Sequence, residues 1–335
     1  MRKLTVGLIG CGVMGRNLMK GCLELRDRVT VTAACDADHE VLEAFCSEIG
    51  LRAHTGWTKM LASEALDAAI VATPPFLHRR VTESLADAGV HVFCEKPMAA
   101  SVEDCDAMIA RCCERDVALM IGQVCRFHAV HSKVKELVES GDFGPPLCMI
   151  VQRLGGGFDG VWTKDWRRQR AMSGGDLMEI NAHEIDFMRW VCGEAKSVCA
   201  VGTNHPKSGA DFPEAVIVSI EFANGAIGSL HSSSISSLGM YGGRVDCERG
   251  ALHFPAIWGD DAGIHVKRGE ETDFIPAVDI AVETPVTHEL RVFFEALTSG
   301  RPPPVTGADG RAAVAIAEAA YASIEQGRPI GLPLS

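Results

Sequence analysis

Asp176, Glu179, His183 and Asp186 crowd the stretch SGGDLMEINAHEIDF at residues 173–187. On a single helix from Asp176 to Trp190, at about 100° per residue, they share one face within an arc of roughly 80°. Leu177, Met178, Ile185 and Met188 fall on other faces and suit packing. Three kinds of chemistry fit such a face. Glu179 and His183 have the i, i+4 spacing of two metal ligands, but HEID is not HExxH and no third ligand follows at local spacing. Acidic residues at helical spacing equally suit a solvated surface. In the third reading Glu179 orients His183, and the imidazole takes a proton from a substrate hydroxyl. Gly174 and Gly175 in front let the backbone approach other groups closely. A second reactive group lies upstream. Lys96 follows the apolar run Val90–Cys94 and precedes Pro97, so it sits at a predicted strand end beside a stiff loop. An ammonium there is placed to hydrogen-bond an oxygen on which negative charge develops.

The elements that must hold these groups are legible from the N-terminus. Leu4–Ile9 has the length and apolarity of a buried strand, and Gly10-Cys11-Gly12-Val13-Met14-Gly15 follows at once. A helix from Arg16 to Arg26 completes the context that a G-x-G-x-x-G motif needs. Gly10 serves the tight turn, Gly12 the approach of a pyrophosphate, and Gly15 close helix–sheet packing. The second strand, Val29–Ala34, ends at Asp36, where a carboxylate accepts from adenosine ribose and repels a 2′-phosphate. NAD is therefore expected over NADP. Strands at Asp67–Ala72, Val90–Cys94 and Val117–Ile121 alternate with helices at Leu77–Ala88 and Val102–Arg115. That alternation predicts an α/β fold with a doubly wound parallel sheet, whose ligands bind off the carboxyl ends of the strands. Gly10, Asp36, Thr73, Lys96 and Gln123 all stand at such ends.

The 335 residues suffice for two domains, and a formal charge of -12 without a basic patch argues against a nucleic-acid partner. No apolar run approaches the roughly 18 residues that a membrane span needs. Thirteen cysteines, an odd number without a CxxC pair, are expected to be reduced thiols in a cytoplasmic protein.

With Glu95-Lys96-Pro97 in place, the chain resembles the Gfo/Idh/MocA family (glucose–fructose oxidoreductase, inositol dehydrogenase and MocA) over nearly its whole length. The resemblance is carried by the glycine fingerprint, Thr73-Pro74-Pro75-Phe76-Leu77-His78, the EKP tripeptide, Arg126-Phe127 and Trp166-Arg167. Val305-Thr306-Gly307-Ala308-Asp309-Gly310-Arg311, leading into an alanine-rich helix, adds to it. It implies a Rossmann domain over 1–122 and a substrate-binding α/β domain over 123–335. The second domain would carry a large open, mostly antiparallel sheet that often forms the interface of a homodimer or homotetramer. The pattern of the second half agrees: Glu214–Phe222 and Ala226–Ser233 alternate as strands about Asn224-Gly225.

The resemblance further implies a cofactor set of Gly10, Gly12, Val13, Met14, Gly15, Asp36, Thr73, Pro74, His78, Glu95 and Gln123. Lys96, Glu179 and His183 would be catalytic, with no metal. Arg126, Trp166 and Arg167 are candidates to grip the substrate, an indole stacking on a sugar face and guanidiniums meeting polyol oxygens. His128 and His131 are expected on a helix surface. Departures from the family's pattern are Ser173 for a glycine, Glu179 for the aspartate and Asn181 for a glycine. They bear on the identity of the substrate. The implied activity is NAD-dependent oxidation of a secondary hydroxyl of a sugar, sugar derivative or cyclitol. A redox-neutral glycosidase- or lyase-type cycle on a sugar, and a non-catalytic NAD-binding regulator, are the alternatives.

Overall fold

The apolar run Leu4–Ile9 forms β1, and its last four residues are buried. Beside it stand β2 (Val29–Cys35), β3 (Arg52–His54), β4 (Ala68–Val71), β5 (His91–Glu95) and β6 (Leu119–Gly122). All pair in parallel, in the order β3-β2-β1-β4-β5-β6. A parallel sheet is covered on both faces, so its strands read as unbroken apolar runs. β4 (AAIV) and β6 (LMIG) are accordingly buried at every position. The connections carry α1 (Val13–Glu24), α2 (His39–Ile49), α3 (Trp57–Ser63), α4 (Pro75–Asp87) and α5 (Val102–Glu114). β3 has only three residues, two of them exposed, and therefore left no hydrophobic pattern to read. The strand order reverses between β1 and β4, which opens a crevice at their carboxyl ends. The computed structural model describes residues 3–155, 164–205, 209–280 and 283–334.

The chain resolves into two units, and the first is discontinuous: it takes residues 1–124 together with 283–311. A single division at residue 122, as the sequence pattern suggests, assigns that later segment to the second domain instead. Its helix, Pro285–Ser299, buries Leu290, Phe293 and Phe294. A Cβ on Gly21 of α1 would come within 2.9 Å of Leu290 Cδ1, so the glycine permits that close approach. Phe293 meets Phe93 of β5 edge-on at 5.7 Å, and Ile121 N donates to Val305 O at 3.1 Å. The apolar stripe of this helix thus covers the parallel sheet.

The second unit is built on a nine-stranded sheet. Its strands are β7 (Pro146–Leu154), β8 (Ala195–Thr203), β9 (Ala215–Phe222), β10 (Ile227–Ser233) and β11 (Met240–Cys247). They continue with β12 (Gly250–Phe254), β13 (Gly263–Arg268), β14 (Glu271–Pro276) and β15 (Ile330–Gly331). The order is β14-β13-β12-β11-β7-β10-β9-β8-β15, antiparallel throughout except between β7 and β10. One face is covered, the residues Val216, Val218, Ile220 and Phe222 of β9 pointing inward. The opposite face exposes Ile150, Val201, Ile217, Ile227 and Met240. α6 (Ala129–Glu139), α7 (Arg170–Ser173), α8 (Asp176–Glu179) and α9 (Ala182–Cys192) belong to this unit.

The single helix expected from Asp176 to Trp190 is broken into α8 and α9. Asp176 O accepts from both Ile180 N (2.9 Å) and Asn181 N (3.0 Å), which ends the first ladder. Asn181 O then accepts from Ile185 N at 2.9 Å and starts a new one. The four ionisable groups therefore do not line one helical face. His131, expected at a surface, is fully buried against Phe187, with ring centroids 4.4 Å apart. Its imidazole meets the Tyr241 hydroxyl at 3.0 Å, and burial pushes its pKa down to about 3. The apolar positions of α6 put it inward.

The entry to α8 is tightly built. Gly175 has φ +75°, and a Cβ there would lie 2.3 Å from the hydroxyl of buried Tyr321, which accepts from Leu177 N at 3.0 Å. Gly225 also has a positive φ (+90°), but open space surrounds it. Gly175→Ala should therefore cost roughly 2–5 kcal/mol, backbone strain and overpacking together. Gly225→Ala, with strain alone, should cost about 1 kcal/mol. Urea unfolding of the two variants compares them, and equal losses would contradict the packing described.

Buried Asp176 receives the Ser234 hydroxyl at 2.5 Å, yet burial, with Glu214 and Glu179 adding to it, raises its pKa from 3.8 to about 7. Between those values the folded protein holds a proton that the unfolded chain has lost. Stability contributed by this group is then complete below pH 4 and lost as pH rises to about 7, by up to about 1.4 kcal/mol per unit. Asp176→Asn should flatten the fall in unfolding free energy across that window. An unchanged slope would show that the carboxyl ionises normally in the fold.

Candidate active site

In the first unit, the turn after β1 is held from two sides. Gly10 N donates to Cys35 O at 2.8 Å, and a Cβ on Gly10 (φ +99°) would lie 2.5 Å from Ala72 O. A Cβ on Gly15 would strike Gly10 O at 1.9 Å, whereas one on Gly12 would meet nothing within 4 Å. Gly12 precedes α1 without a side-chain cap, and the first turn holds no acidic residue. The leading N–H groups of a twelve-residue helix, with the positive end of its dipole, thus face open space beside a bare backbone. Val13, next in line, is an exposed apolar side chain.

Asp36, at the end of β2, accepts from Cys11 N at 2.7 Å through Oδ2 and from Asp38 N at 2.9 Å through Oδ1. It clamps the glycine turn, and its carboxylate keeps lone pairs for ribose hydroxyls. Thr73 Oγ1 past β4 and Gln123 Oε1 past β6 are buried with no hydrogen-bond partner among the described residues. An uncapped helix, a spare carboxylate and unsatisfied oxygens along one sheet edge fit a dinucleotide.

His78 has a different place from the ligand contact expected of it. It is fully buried on α4, with Nε2 2.7 Å from Thr73 O and Nδ1 3.0 and 3.2 Å from Pro97 O and Met98 O. Burial lowers its pKa. The ring ties the loop after β4 to the loop after β5, and the latter carries Lys96. Lys96 is half-buried, joined to Pro97 by a cis peptide bond, and its N–H donates to the buried Glu95 carboxylate at 3.0 Å. Pro74, just before α4, starts that helix by fixing its backbone.

In the second unit, His183 is half-buried in the first turn of α9. Each carboxylate around it has its own neighbour. Glu179 forms an ion pair with Arg167, whose guanidinium also lies 4.5 Å from the Trp166 ring. Asp186 takes both Nε (2.7 Å) and Nη2 (2.6 Å) of Arg126, a buried fork that also lies over Trp190. Glu184 accepts from Asn181 Nδ2 at 2.9 Å. Two of the arginines expected to meet a ligand are thus engaged by carboxylates of α8 and α9. Neither pairing follows from helical spacing, since Arg126 and Asp186 lie 60 residues apart and Arg167 and Glu179 lie 12 apart. Among the described residues, no group of three His, Cys, Asp or Glu side chains is arranged to hold a metal ion. None of the described helices is long and apolar enough to cross a membrane.

Comparison with known proteins follows the same division. Residues 4–123 match the model of an oxidoreductase family with an NAD-binding Rossmann fold, and residues 131–253 match the GFO/IDH/MocA C-terminal domain. The myo-inositol 2-dehydrogenase of Thermotoga maritima is 27% identical over 98% of both chains. The 2,7-anhydro-N-acetylneuraminate hydratase of Escherichia coli is 29% identical over 69% of this chain and 62% of its own length. Among solved structures, the WlbA dehydrogenase from Bordetella pertussis in complex with NADH and UDP-GlcNAcA superposes with a TM-score of 0.88, at 26% identity and full coverage of both chains. With both halves matched and a glycine cradle built for the dinucleotide, the chain belongs to the Gfo/Idh/MocA family of NAD-dependent oxidoreductases.

Proposed function

We propose that the enzyme oxidises a secondary hydroxyl of a sugar, sugar derivative or cyclitol. NAD, when bound, accepts a hydride from the carbinol carbon. His183 takes the hydroxyl proton, and Glu179, held by Arg167, sets the electrostatic surroundings of that helix turn. Lys96 hydrogen-bonds the same oxygen and stabilises its negative charge as the proton leaves. Trp166 and Arg126 serve the substrate side, the first as a stacking surface and the second by fixing α9 through Asp186. The observation that carries this reading is the half-buried Lys96 at the carboxyl end of β5, on the same sheet edge as the uncapped α1 and Asp36. The exposed apolar face of the nine-stranded sheet supports assembly as a homodimer or homotetramer.

A second reading is favoured by the likeness to a hydratase. In a redox-neutral cycle the same residues would hold NAD without net reduction, and product would appear without accumulating NADH. A screen of sugars, cyclitols and sugar acids, following absorbance at the reduced-cofactor wavelength beside chromatographic product analysis, separates the two. Net NADH in proportion to product supports the dehydrogenase. Product without it supports the closed cycle.

Lys96→Met and His183→Asn should each lower kcat by roughly 10²-fold or more while leaving NAD affinity within a few-fold. Turnover that survives both changes would remove these residues from the chemistry. Asp36→Ser should cut the ratio of kcat/KM with NAD to that with NADP by about 10-fold or more, since it removes the charge that repels a 2′-phosphate. An unaltered ratio would mean that the carboxylate does not face the adenosine ribose.

A further inference from the structure

Away from the glycine cradle, the second unit holds a cavity of about 520 Å³ at the end of β7 and the start of β11. Its size is that of a small-molecule site. Arg153, Tyr241 and Trp258 form its working surface. The Arg153 guanidinium lies 4.3 Å from the Tyr241 ring centroid and 5.2 Å from that of Trp258. The two rings meet edge-to-face at 5.2 Å. Tyr241 is buried, and its hydroxyl is 3.0 Å from the imidazole of His131. Trp258 is 55% exposed, a large apolar surface left at the mouth. The rim carries no side chains where Gly155 passes Gly239, whose Cα would lie 2.9 Å from a Cβ on Gly155.

The charge of this cavity is unbalanced. No carboxylate pairs with Arg153, and no acceptor takes its side-chain N–H groups, among the described residues. His128 and His131 stay neutral near pH 7, since burial and the nearby guanidinium both push their pKa down. Aromatic rings lie close to the guanidinium, and a planar fork of donors favours an acceptor of matching planarity. A carboxylate fills that fork with two parallel hydrogen bonds. The exposed indole offers a flat apolar surface to the C–H face of a sugar ring.

We propose that this cavity binds a carboxylate-bearing sugar, so that the enzyme's substrate is a sugar acid rather than a neutral sugar or cyclitol. The inference rests on the sugar-dehydrogenase reading and names the class within it. Tyr241 ties the cavity to α9 through His131, whose ring packs on Phe187. His183 stands four residues before Phe187 on the same helix, so the carboxylate anchor and the proposed base share α9 as support.

The test is calorimetric titration of the 335-residue chain, saturated with NAD, with D-glucuronate, D-gluconate, D-glucose and D-glucose 6-phosphate. At least one acid should bind about 10-fold or more tightly than D-glucose. Arg153→Gln should remove that preference, a loss of roughly 10- to 100-fold, and Arg153→Lys should restore part of it. Trp258→Ala should weaken the acids and D-glucose alike. NAD affinity and melting temperature, read in parallel, establish that each variant is folded. An acid-to-neutral ratio that Arg153→Gln leaves unchanged overturns the proposal, as does failure of both acids to bind. Tighter, Arg153-dependent binding of the phosphate would replace the carboxylate by a phosphoryl group and equally overturn it. Arg153-dependent binding of an acid without reduced cofactor would uphold the cavity and sink the dehydrogenase reading. Oxidation of neutral sugars independent of Arg153 would do the reverse.

Discussion

The first unit depends on keeping the start of one helix unsatisfied. α1 begins without a capping side chain and without an acidic residue in its first turn, which leaves its leading N–H groups for a ligand. Such an end is costly unless the ligand is nearly always present or the surroundings hold it rigid. Here rigidity is supplied by contacts that need no ligand. Asp36 fastens Cys11 N, Gly10 lies under the Ala72 carbonyl, and Gly15 leaves no space between helix and turn. The cradle is therefore preformed, and binding need not order it.

In the second unit the governing constraint is the burial of acid. Asp176, Glu179, Glu184 and Asp186 are all buried within eleven residues of chain. Buried carboxyl groups, ionised or protonated, are tolerated only with partners. Each has a different one: Ser234, Arg167, Asn181 and Arg126. Each carboxylate is thus balanced by its own neighbour. The arrangement also explains the broken helix, since Asn181 at the break is the residue that reaches Glu184.

What was legible in the sequence was local. The strand–glycine–helix order, Asp36 after β2 and the strand ends at Thr73, Lys96 and Gln123 follow from spacings within one or two elements, and the sheet is parallel as that alternation implies. What was not legible depended on distant partners. The apolar stripe of Pro285–Ser299 announces a helix but not that it covers Phe93. Helical periodicity places Asp176 and His183 on one face but is blind to a carbonyl that accepts two N–H groups. Arg126 reads as a free cation until its carboxylate is found 60 residues on. Arg153, Tyr241 and Trp258 gave no signal at all, because three separate segments build that corner.

The return of residues 283–311 to the first unit bears on how the protein is made. A ribosome delivers the glycine cradle first, but the helix that shields Gly21 and Phe93 emerges only after the whole nine-stranded sheet except its last short strand. Cofactor-unit folding cannot finish vectorially: through most of synthesis the nascent chain displays a sticky apolar flank. Exposed apolar surface of that kind is what makes a folding intermediate prone to aggregate.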